Sequence, residues 1–169
     1  KTYSIEPRAS MKYELNNKQS ISFGFGIHGQ IQPLGVYFAQ TTDENGNLVF
    51  PNHELEITKS QHFVLGYDRS IGKYTHMKLE VYHQSIGNVP VSVDPTNTFS
   101  MLNNEYGFMT DPLINNGKGI NKGVEFTLEQ YLHNDFYFLL STSFYDSKYQ
   151  AASGKWFDTR FNGQFAGSF

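Results

Sequence analysis

Histidine is the residue type in this chain best suited to bind a metal ion, and the chain has six of them. They are His28, His53, His62, His76, His83 and His133. No two of them stand two or four residues apart, so no strand or helix is predicted to aim two imidazoles at one ion. The chain has no cysteine, which excludes thiolate metal sites and a disulfide framework. The sequence therefore predicts no metal centre.

Two Gly-x-Gly segments, Gly24-Phe25-Gly26 and Gly117-Lys118-Gly119, have glycines at the spacing of a phosphate-binding loop. Such a loop also needs a strand before it and a helix after it, and neither segment leads into a helical pattern. Glycine in a strand more simply marks a bend or a close backbone approach. No Ser-His-Asp arrangement can be assembled from the spacing of the acidic residues. The sequence predicts neither an enzyme nor a bound cofactor.

The charge balance excludes a further class of partner. Lys and Arg number 13 against 16 Asp and Glu, and the net charge of -3 gives no electrostatic footprint for nucleic acid. Only 17% of residues are charged, against about 25% in typical globular proteins. Asn, Gln, Ser, Thr and aromatic residues take their place, which is typical of a surface that meets something other than bulk water.

Aromatic residues outside the patterned segments are the remaining candidates for ligand contact. They are Tyr37, Phe38, Phe50, Tyr106, Phe108 and Trp156. Ligand-binding loops carried on a rigid scaffold commonly have this composition. The alternative for the residues between 32 and 121, including Phe99, Met101 and Met109, is that the loops pack on each other as a lid. The alternative for Trp156 is an aromatic girdle at a membrane interface.

The segments that position these residues alternate with period two. From Ile5 to Leu15 the odd positions are mostly apolar and the even positions are polar or charged. Successive side chains of a strand point to opposite faces, so this pattern predicts a strand with one apolar face and one polar face in contact with water. Pro7 cannot donate a ladder hydrogen bond and predicts an edge, a bulge or a strand end at that position.

The same pattern predicts three hairpins and one further strand. Short turns are expected at 16–18, 70–74 and 133–135, and the last strand is expected to carry Phe157, Phe161, Phe165 and Phe169 on one face. The connections at about 32–60 and 87–121 are long. Short turns at one end and long loops at the other are the signature of an outer-membrane β-barrel. The longest strictly apolar run, 136–140, is too short for a membrane helix, which needs about 18 residues.

Four segments resemble TonB-dependent receptors in the order in which that family has them. The first is Asn52–Tyr67, in which an Asn-x-x-Leu turn leads into a strand that ends in Leu-Gly-Tyr. Leu79–Tyr82 is similar to the next strand, Asn121–Glu129 to the family's Asn-x-Gly-x-Glu strand, and Tyr145–Tyr149 to the strand that follows. The Asn-Lys-Gly-Val-Glu version resembles most the receptors of the Bacteroidetes.

The resemblance implies an all-β fold, an antiparallel meander of about seven long strands within a transmembrane barrel of about 22 strands. Residues 1–169 are expected to form part of one barrel domain. The family's N-terminal plug domain and its TonB box are expected to lie outside this chain. The implied location is the bacterial outer membrane.

The resemblance also implies function. A TonB-dependent receptor actively takes up a nutrient or metal-chelate ligand, and the implied partners are the lipid bilayer, the plug domain, the remaining barrel strands, TonB and the ligand. The sequence leaves open whether that ligand is a small molecule, a peptide or a glycan, and whether a surface lipoprotein covers the loops. The alternatives are a passive porin and a soluble antiparallel β-domain that binds a carbohydrate or lipid.

Overall fold

The computed structural model describes residues 3–104 and 109–169, most of which form one antiparallel sheet. The strands are β1 (Arg8–Asn16), β2 (Gln19–Gln30), β3 (Thr41–Thr42), β4 (Leu48–Val49), β5 (Thr58–Ile71), β6 (Thr75–Ser92), β7 (Leu113–His133), β8 (Phe136–Gln150), β9 (Trp156–Asp158) and β10 (Phe165–Ser168). Strands β1, β2, β5, β6, β7, β8 and β10 follow one another across the sheet, and β9 also pairs with β8. This order confirms the predicted meander. The sheet does not close on itself, because β1 and β10 are its two edges among the described residues.

The short turns form where the sequence predicts them. Asn134 and Asp135 both have positive φ, 51° and 62°, which is the backbone of a two-residue hairpin turn whose twist matches that of the flanking strands. Gly72 has φ 73° in the turn between β5 and β6. Strand β1 begins directly after Pro7, so this proline lies at a strand end.

The two faces of the sheet differ sharply in composition. One row of directly opposed residues crosses it through Phe23, Leu65, Val81, Val124, Phe144 and Phe165. The row that points the opposite way holds Ser22, Gly66, Glu80, Glu125 and Ser143. We call the side of the first row the apolar face and the other side the polar face. The first row is 40% to 61% exposed, so the described residues leave it largely uncovered.

Strands β6 and β7 extend further than the alternation predicts. Their register shifts between Ile86 and Val91, where Asn88 has φ 55° and Pro90 lacks an N–H to donate. Beyond this bulge, Val89 pairs with Gly117 and Val91 with Ile114. The second long connection is therefore 93–112 rather than about 87–121, because a bulge interrupts period two without ending the strand.

The predicted last strand is wrong in one respect, since it is interrupted. From Asp158 to Phe165 the chain advances seven residues, while their partners on β8, Lys148 and Phe144, are four apart. The three extra residues bulge out of the sheet. Phe157 opposes Tyr149 and lies on the polar face, whereas Phe165 opposes Phe144 and lies on the apolar face. The phenylalanines predicted to share a face are thus divided.

The buried hydrophobic cluster of the described residues lies in the connections and at the first residue of β7. The chain 31–57 between β2 and β5 includes the one-turn helix α1 (Leu34–Tyr37), and 93–112 includes a 3-10 helix, Met101–Asn103. Val36, Leu55 and Leu113 form the cluster. In the described part of the chain, no helix is long and apolar enough to span a membrane.

Candidate functional site

The two long connections pack together over one end of the sheet. Val36 is fully buried, Leu55 and Leu113 are nearly so, and partly buried side chains surround them. Those side chains are Tyr37, Phe99, Met101 and Met109. We call this assembly of 31–57 and 93–112 the loop cap. The apolar residues that the sequence singled out in these connections are thus largely used to hold the two loops together.

Two asparagine side chains lock the loop cap. Asn52 is fully buried; its Nδ2 donates to the carbonyl oxygen of Asp111 at 3.0 Å and its Oδ1 accepts from the N–H of Leu113 at 2.8 Å. Asn115 accepts from the N–H of Glu56 at 2.8 Å and donates to the carbonyl oxygen of Asn88 at 2.7 Å. A buried amide with both ends bonded avoids the desolvation cost of an orphaned polar group.

Two aspartates shape tight turns within the cap. Asp43 accepts from the backbone N–H of Asn47 at 2.8 Å, from the side-chain amide of Asn47 at 3.1 Å and from the N–H of Asn45 at 2.9 Å. These bonds lower the pKa of the Asp43 carboxyl, the Asn47 backbone bond most of all. The N–H and hydroxyl of Thr96 lower the pKa of Asp94 in the same way. Hydrogen bonds to the carboxylate favour its charged form.

The predicted ligand-contact residues do not converge on one point. Tyr37 packs on the cap core, and its hydroxyl accepts from the N–H of Gln32 at 3.3 Å. Phe38 and Phe50 are exposed on the cap surface. Trp156 opposes Gln150 on the apolar face, at the end of the sheet that carries the loop cap. Tyr106 and Phe108 lie outside the described residues.

A chain of side-chain hydrogen bonds crosses the polar face just below the cap. Thr159 donates to Ser147 at 2.8 Å, Ser147 to Asn121 at 2.6 Å, Asn121 to Gln84 at 2.7 Å and Gln84 to Ser60 at 2.8 Å. We call these five residues the polar ladder. Each member except the last donates to the next, and aligned bonds of this kind strengthen one another.

The polar ladder borders a concavity of about 600 Å³. Aromatic rings of His62, Tyr82, Tyr145 and Phe161 line it beside the amides of the ladder. The ring of His62 meets that of Tyr82 edge-on, with centroids 6.3 Å apart. Phe161 reaches this surface because it lies in the bulge between β9 and β10. Glu80, Glu125 and Asp146 line it too, so its rings, amides and carboxylates together suit a polar or cationic ligand or a packed protein segment.

Charged residues lie on the polar face nearer the short turns. The Lys78 ammonium is 2.8 Å from Glu80, and His76 Nε2 is 3.4 Å from Asp68. Glu80 and Glu125 stand directly opposite each other. Within 3–104 and 109–169, no group of three or more His, Asp and Glu side chains could hold a metal ion.

Comparison with known proteins decides the family. The model of the TonB dependent receptor-like β-barrel family matches residues 2–167. This chain belongs to that family. No curated protein matches it.

TonB-dependent receptors are an outer-membrane transporter family and not an enzyme family. Membership implies in general a plug domain, TonB and a ligand as partners. It also explains why the apolar face of this receptor segment is exposed, because a barrel in lipid turns its apolar residues outward and its polar residues inward. The family therefore favours the receptor over the soluble β-domain and the passive porin that the sequence also allowed.

Sequence reasoning missed the polar ladder of this receptor segment. Its five members come from β5, β6, β7, β8 and the bulge after β9, and nothing in their local pattern marks them. The one available signal was that Ser60, Gln84, Asn121 and Ser147 all fall on the polar phase of their strands. Register between strands is needed to show that they meet.

Proposed function

We propose that this chain lies in the bacterial outer membrane as part of the barrel of a receptor that actively takes up a nutrient or metal-chelate ligand. The observation that carries the proposal is the two-faced sheet with its loop cap at one end only. The exposed apolar face meets lipid, which removes the cost of leaving it in water. The loop cap then faces the exterior and the short turns face the periplasm.

The polar face looks into the lumen, where the plug domain supplied by the rest of the receptor covers it. Two observations support this partner. Glu80 and Glu125 oppose each other as like charges, and although Lys78 pairs with Glu80, the concavity has three carboxylates, with Asp146, to meet a cationic plug segment. The concavity beside the polar ladder is open on its lumen side and has aromatic walls against which a plug segment packs.

The loop cap is the part that meets the ligand first. Phe38 and Phe50 present their rings on its surface; Tyr106 and Phe108, outside the described residues, are further ligand contacts proposed from the sequence. Tyr37 fixes the shape of the cap from within. Trp156, on the apolar side near the cap, is best suited to the interfacial girdle that the sequence gave as its alternative.

Uptake that depends on energy separates this function from that of a passive porin. Cells that express the full-length receptor are offered ferric chelates, cobalamin, peptides and oligosaccharides, one class at a time. We expect one class to enter, and a protonophore to abolish its entry, because TonB draws on the energised inner membrane. Entry that persists without the proton gradient would establish a porin instead.

A matched variant connects uptake to the loop cap. Phe38→Ala and Phe50→Ala remove exposed rings without touching the cap core, whereas Leu48→Ala alters another exposed apolar side chain in the same connection. We expect weaker binding of the transported class by the two phenylalanine variants and unchanged binding by Leu48→Ala. Equal affinity in all three proteins would exclude these rings as ligand contacts.

A further inference from the structure

The four methionines of the chain divide between two environments. Met11 and Met77 lie on the apolar face, each opposite an apolar residue of the neighbouring strand. Met101 and Met109 lie in the loop cap, where both are partly buried and pack against its hydrophobic cluster. In the proposed placement lipid covers the first pair of thioethers, whereas water outside the cell reaches the second pair.

Met101 occupies the first position of the 3-10 helix Met101–Asn103. The side chain of Ser100 caps this helix at its start, because its hydroxyl oxygen accepts from the N–H of Leu102 at 3.3 Å. Asn104 follows its end: its N–H donates to the carbonyl oxygen of Met101 at 3.4 Å, and its side-chain amide donates to Met101 Sδ at 3.6 Å. The thioether of Met101 therefore lies between the hydrophobic cluster and an amide donor.

The same 3-10 helix ties the loop cap to the sheet at two points. Leu102 packs on β7, where a Cβ added at Gly119 would collide with its Cδ1. The side-chain oxygen of Asn103 accepts from the N–H of Arg160 at 2.7 Å, in the bulge between β9 and β10. A displacement of Met101 therefore moves its two neighbours in the helix and loosens the cap from β7 and from the bulge.

Oxidation is the reaction that would displace this side chain. A hydroperoxide transfers one oxygen atom to a thioether: the O–O bond breaks, an S–O bond forms, and the sulfur loses two electrons. The hydrogen passes to the leaving oxygen, which departs as water or an alcohol. The product is a polar sulfoxide, whose oxygen either stays unpaired in the apolar cluster or turns toward the amide of Asn104. In both positions the side chain loses its packing on the cluster.

We propose that Met101 is an oxidation site that opens the loop cap. A hydroperoxide in the water outside the cell oxidises its thioether, and the sulfoxide releases 93–112 from the hydrophobic cluster. The inference rests on the proposed placement in the outer membrane, which shields Met11 and Met77 with lipid, and adds a form of control that uptake itself does not require. Methionine sulfoxide reductase restores the thioether, so the change is reversible.

The test uses the full-length receptor in lipid vesicles, with hydrogen peroxide as the oxidant. Peptide mass spectrometry measures the oxygen gained at each methionine, and hydrogen exchange of a peptide spanning 50–57 reports on the loop cap. We expect Met101 to be oxidised about tenfold or more faster than Met11 and Met77. Exchange at 50–57 should then accelerate about tenfold or more. Methionine sulfoxide reductase with a thiol reductant should restore the original exchange.

Met101→Leu is the decisive variant, because leucine keeps a similar apolar volume and lacks the sulfur. Its exchange at 50–57 should stay at the untreated level in peroxide. Met109→Leu removes the other thioether of the cap, and Met11→Leu removes one on the apolar face. Both of these controls should respond to peroxide as the parent receptor does.

Three results would overturn the inference: full oxidation of Met101 with unchanged exchange at 50–57, the same acceleration in Met101→Leu, and an acceleration that the reductase does not reverse. The last would identify irreversible damage instead of a switch. Each of these results contradicts this inference alone. Oxidation of Met11 and Met77 as fast as that of Met101 would show that lipid does not cover the apolar face, and it would contradict the proposed function as well.

Discussion

Asn52, which the sequence did not single out as a site residue, holds the loop cap together by hydrogen bonds between distant parts of the chain. Its side-chain amide, which is fully buried, joins the first connection to Asp111 in the second connection and to Leu113 at the start of β7. The sequence placed this residue in a family-like Asn-x-x-Leu turn and assigned it no role. Its value comes from two partners about sixty residues away, which no local pattern reveals.

Asn52→Ala is expected to loosen the loop cap. The substitution removes the bond to the carbonyl of Asp111 and leaves the buried N–H of Leu113 without its acceptor, a cost of about 1–3 kcal/mol. Hydrogen exchange of a peptide spanning 109–116, measured on the full-length receptor, should accelerate about tenfold or more.

Asn45→Ala is the matched control, because Asn45 is exposed in the same connection. Its exchange pattern at 109–116 should equal that of the parent protein. Unchanged protection of this peptide in Asn52→Ala would mean that the apolar cluster alone holds the cap.

Asp43 gives the loop cap a pH-sensitive turn. Its bonds from the backbone and side chain of Asn47 and from the backbone of Asn45 lower the pKa of its carboxyl below the ordinary value near 3.9. The carboxylate therefore stabilises the turn above that value, and the stabilisation is lost as the pH falls through the lowered pKa. The carboxyl carbon of Asp43, followed by NMR in selectively labelled receptor, should titrate below 3.9.

Asn47→Ala removes the side-chain donor at 3.1 Å and keeps the backbone donor. The titration midpoint should move upward and stay below the ordinary value. A midpoint at the ordinary value in the parent protein would show that the turn does not hold the carboxylate.

At the scale of strands, the close pairing of β6 and β7 near the loop cap requires a glycine at position 117. A Cβ on this residue would collide with Cγ1 of Val91 and lie 2.9 Å from the carbonyl oxygen of Val89, both in the buried part of β6. The sequence interpretation of this glycine as a close backbone approach, rather than a phosphate loop, is confirmed. Which backbone it approaches follows only from the bulged register.

Gly117→Ala is expected to destabilise this hairpin by about 1–3 kcal/mol, the cost of overpacking a tight contact. Gly87→Ala is the control, because a Cβ there has nothing within 4 Å. Thermal unfolding of the full-length receptor in detergent, with exchange at 89–92 as a local probe, compares the two. Equal losses in both variants would show that the close contact at Gly117 is not what destabilises the strand pair.

The interruption between β9 and β10 shows where pattern analysis fails. Phe157, Phe161 and Phe165 keep an even spacing, so alternation predicts one face. The three-residue bulge changes the phase, and Asn162 stabilises it by accepting from the N–H of Ser147 at 3.0 Å and donating to Asp158 at 3.0 Å. An odd number of extra residues reverses the facing of everything after it.

For the molecule as a whole, stability depends on which solvent each face meets. Leu65 and Val64 are neighbours on β5 that point to opposite faces. Leu65→Arg places a charge on the lipid side and is expected to cost about 2–4 kcal/mol. Val64→Arg points into the lumen and should cost much less. Denaturant unfolding of the full-length receptor in lipid vesicles measures both, and equal costs would contradict the assignment of the faces.

The hairpins, the two faces and the contrast between short turns and long loops follow from the sequence alone. They rest on the period of two that the backbone of a strand imposes on its side chains, which is a local property. The four family-like segments add the identity of the barrel in the same way. Each of these features is read from single strands, turns and loops in order along the chain.

Tertiary structure alone decided the loop cap and the polar ladder. The polar ladder runs from Ser60 to Thr159, so it requires the register of four strands and of the bulge beside them at once. Bulges at Asn88 and before Phe165 shift that register, and the alternation of apolar and polar residues does not predict the size of either shift. The physical reason is that the residue pattern fixes the direction of a side chain, whereas only the paired backbones fix its neighbours.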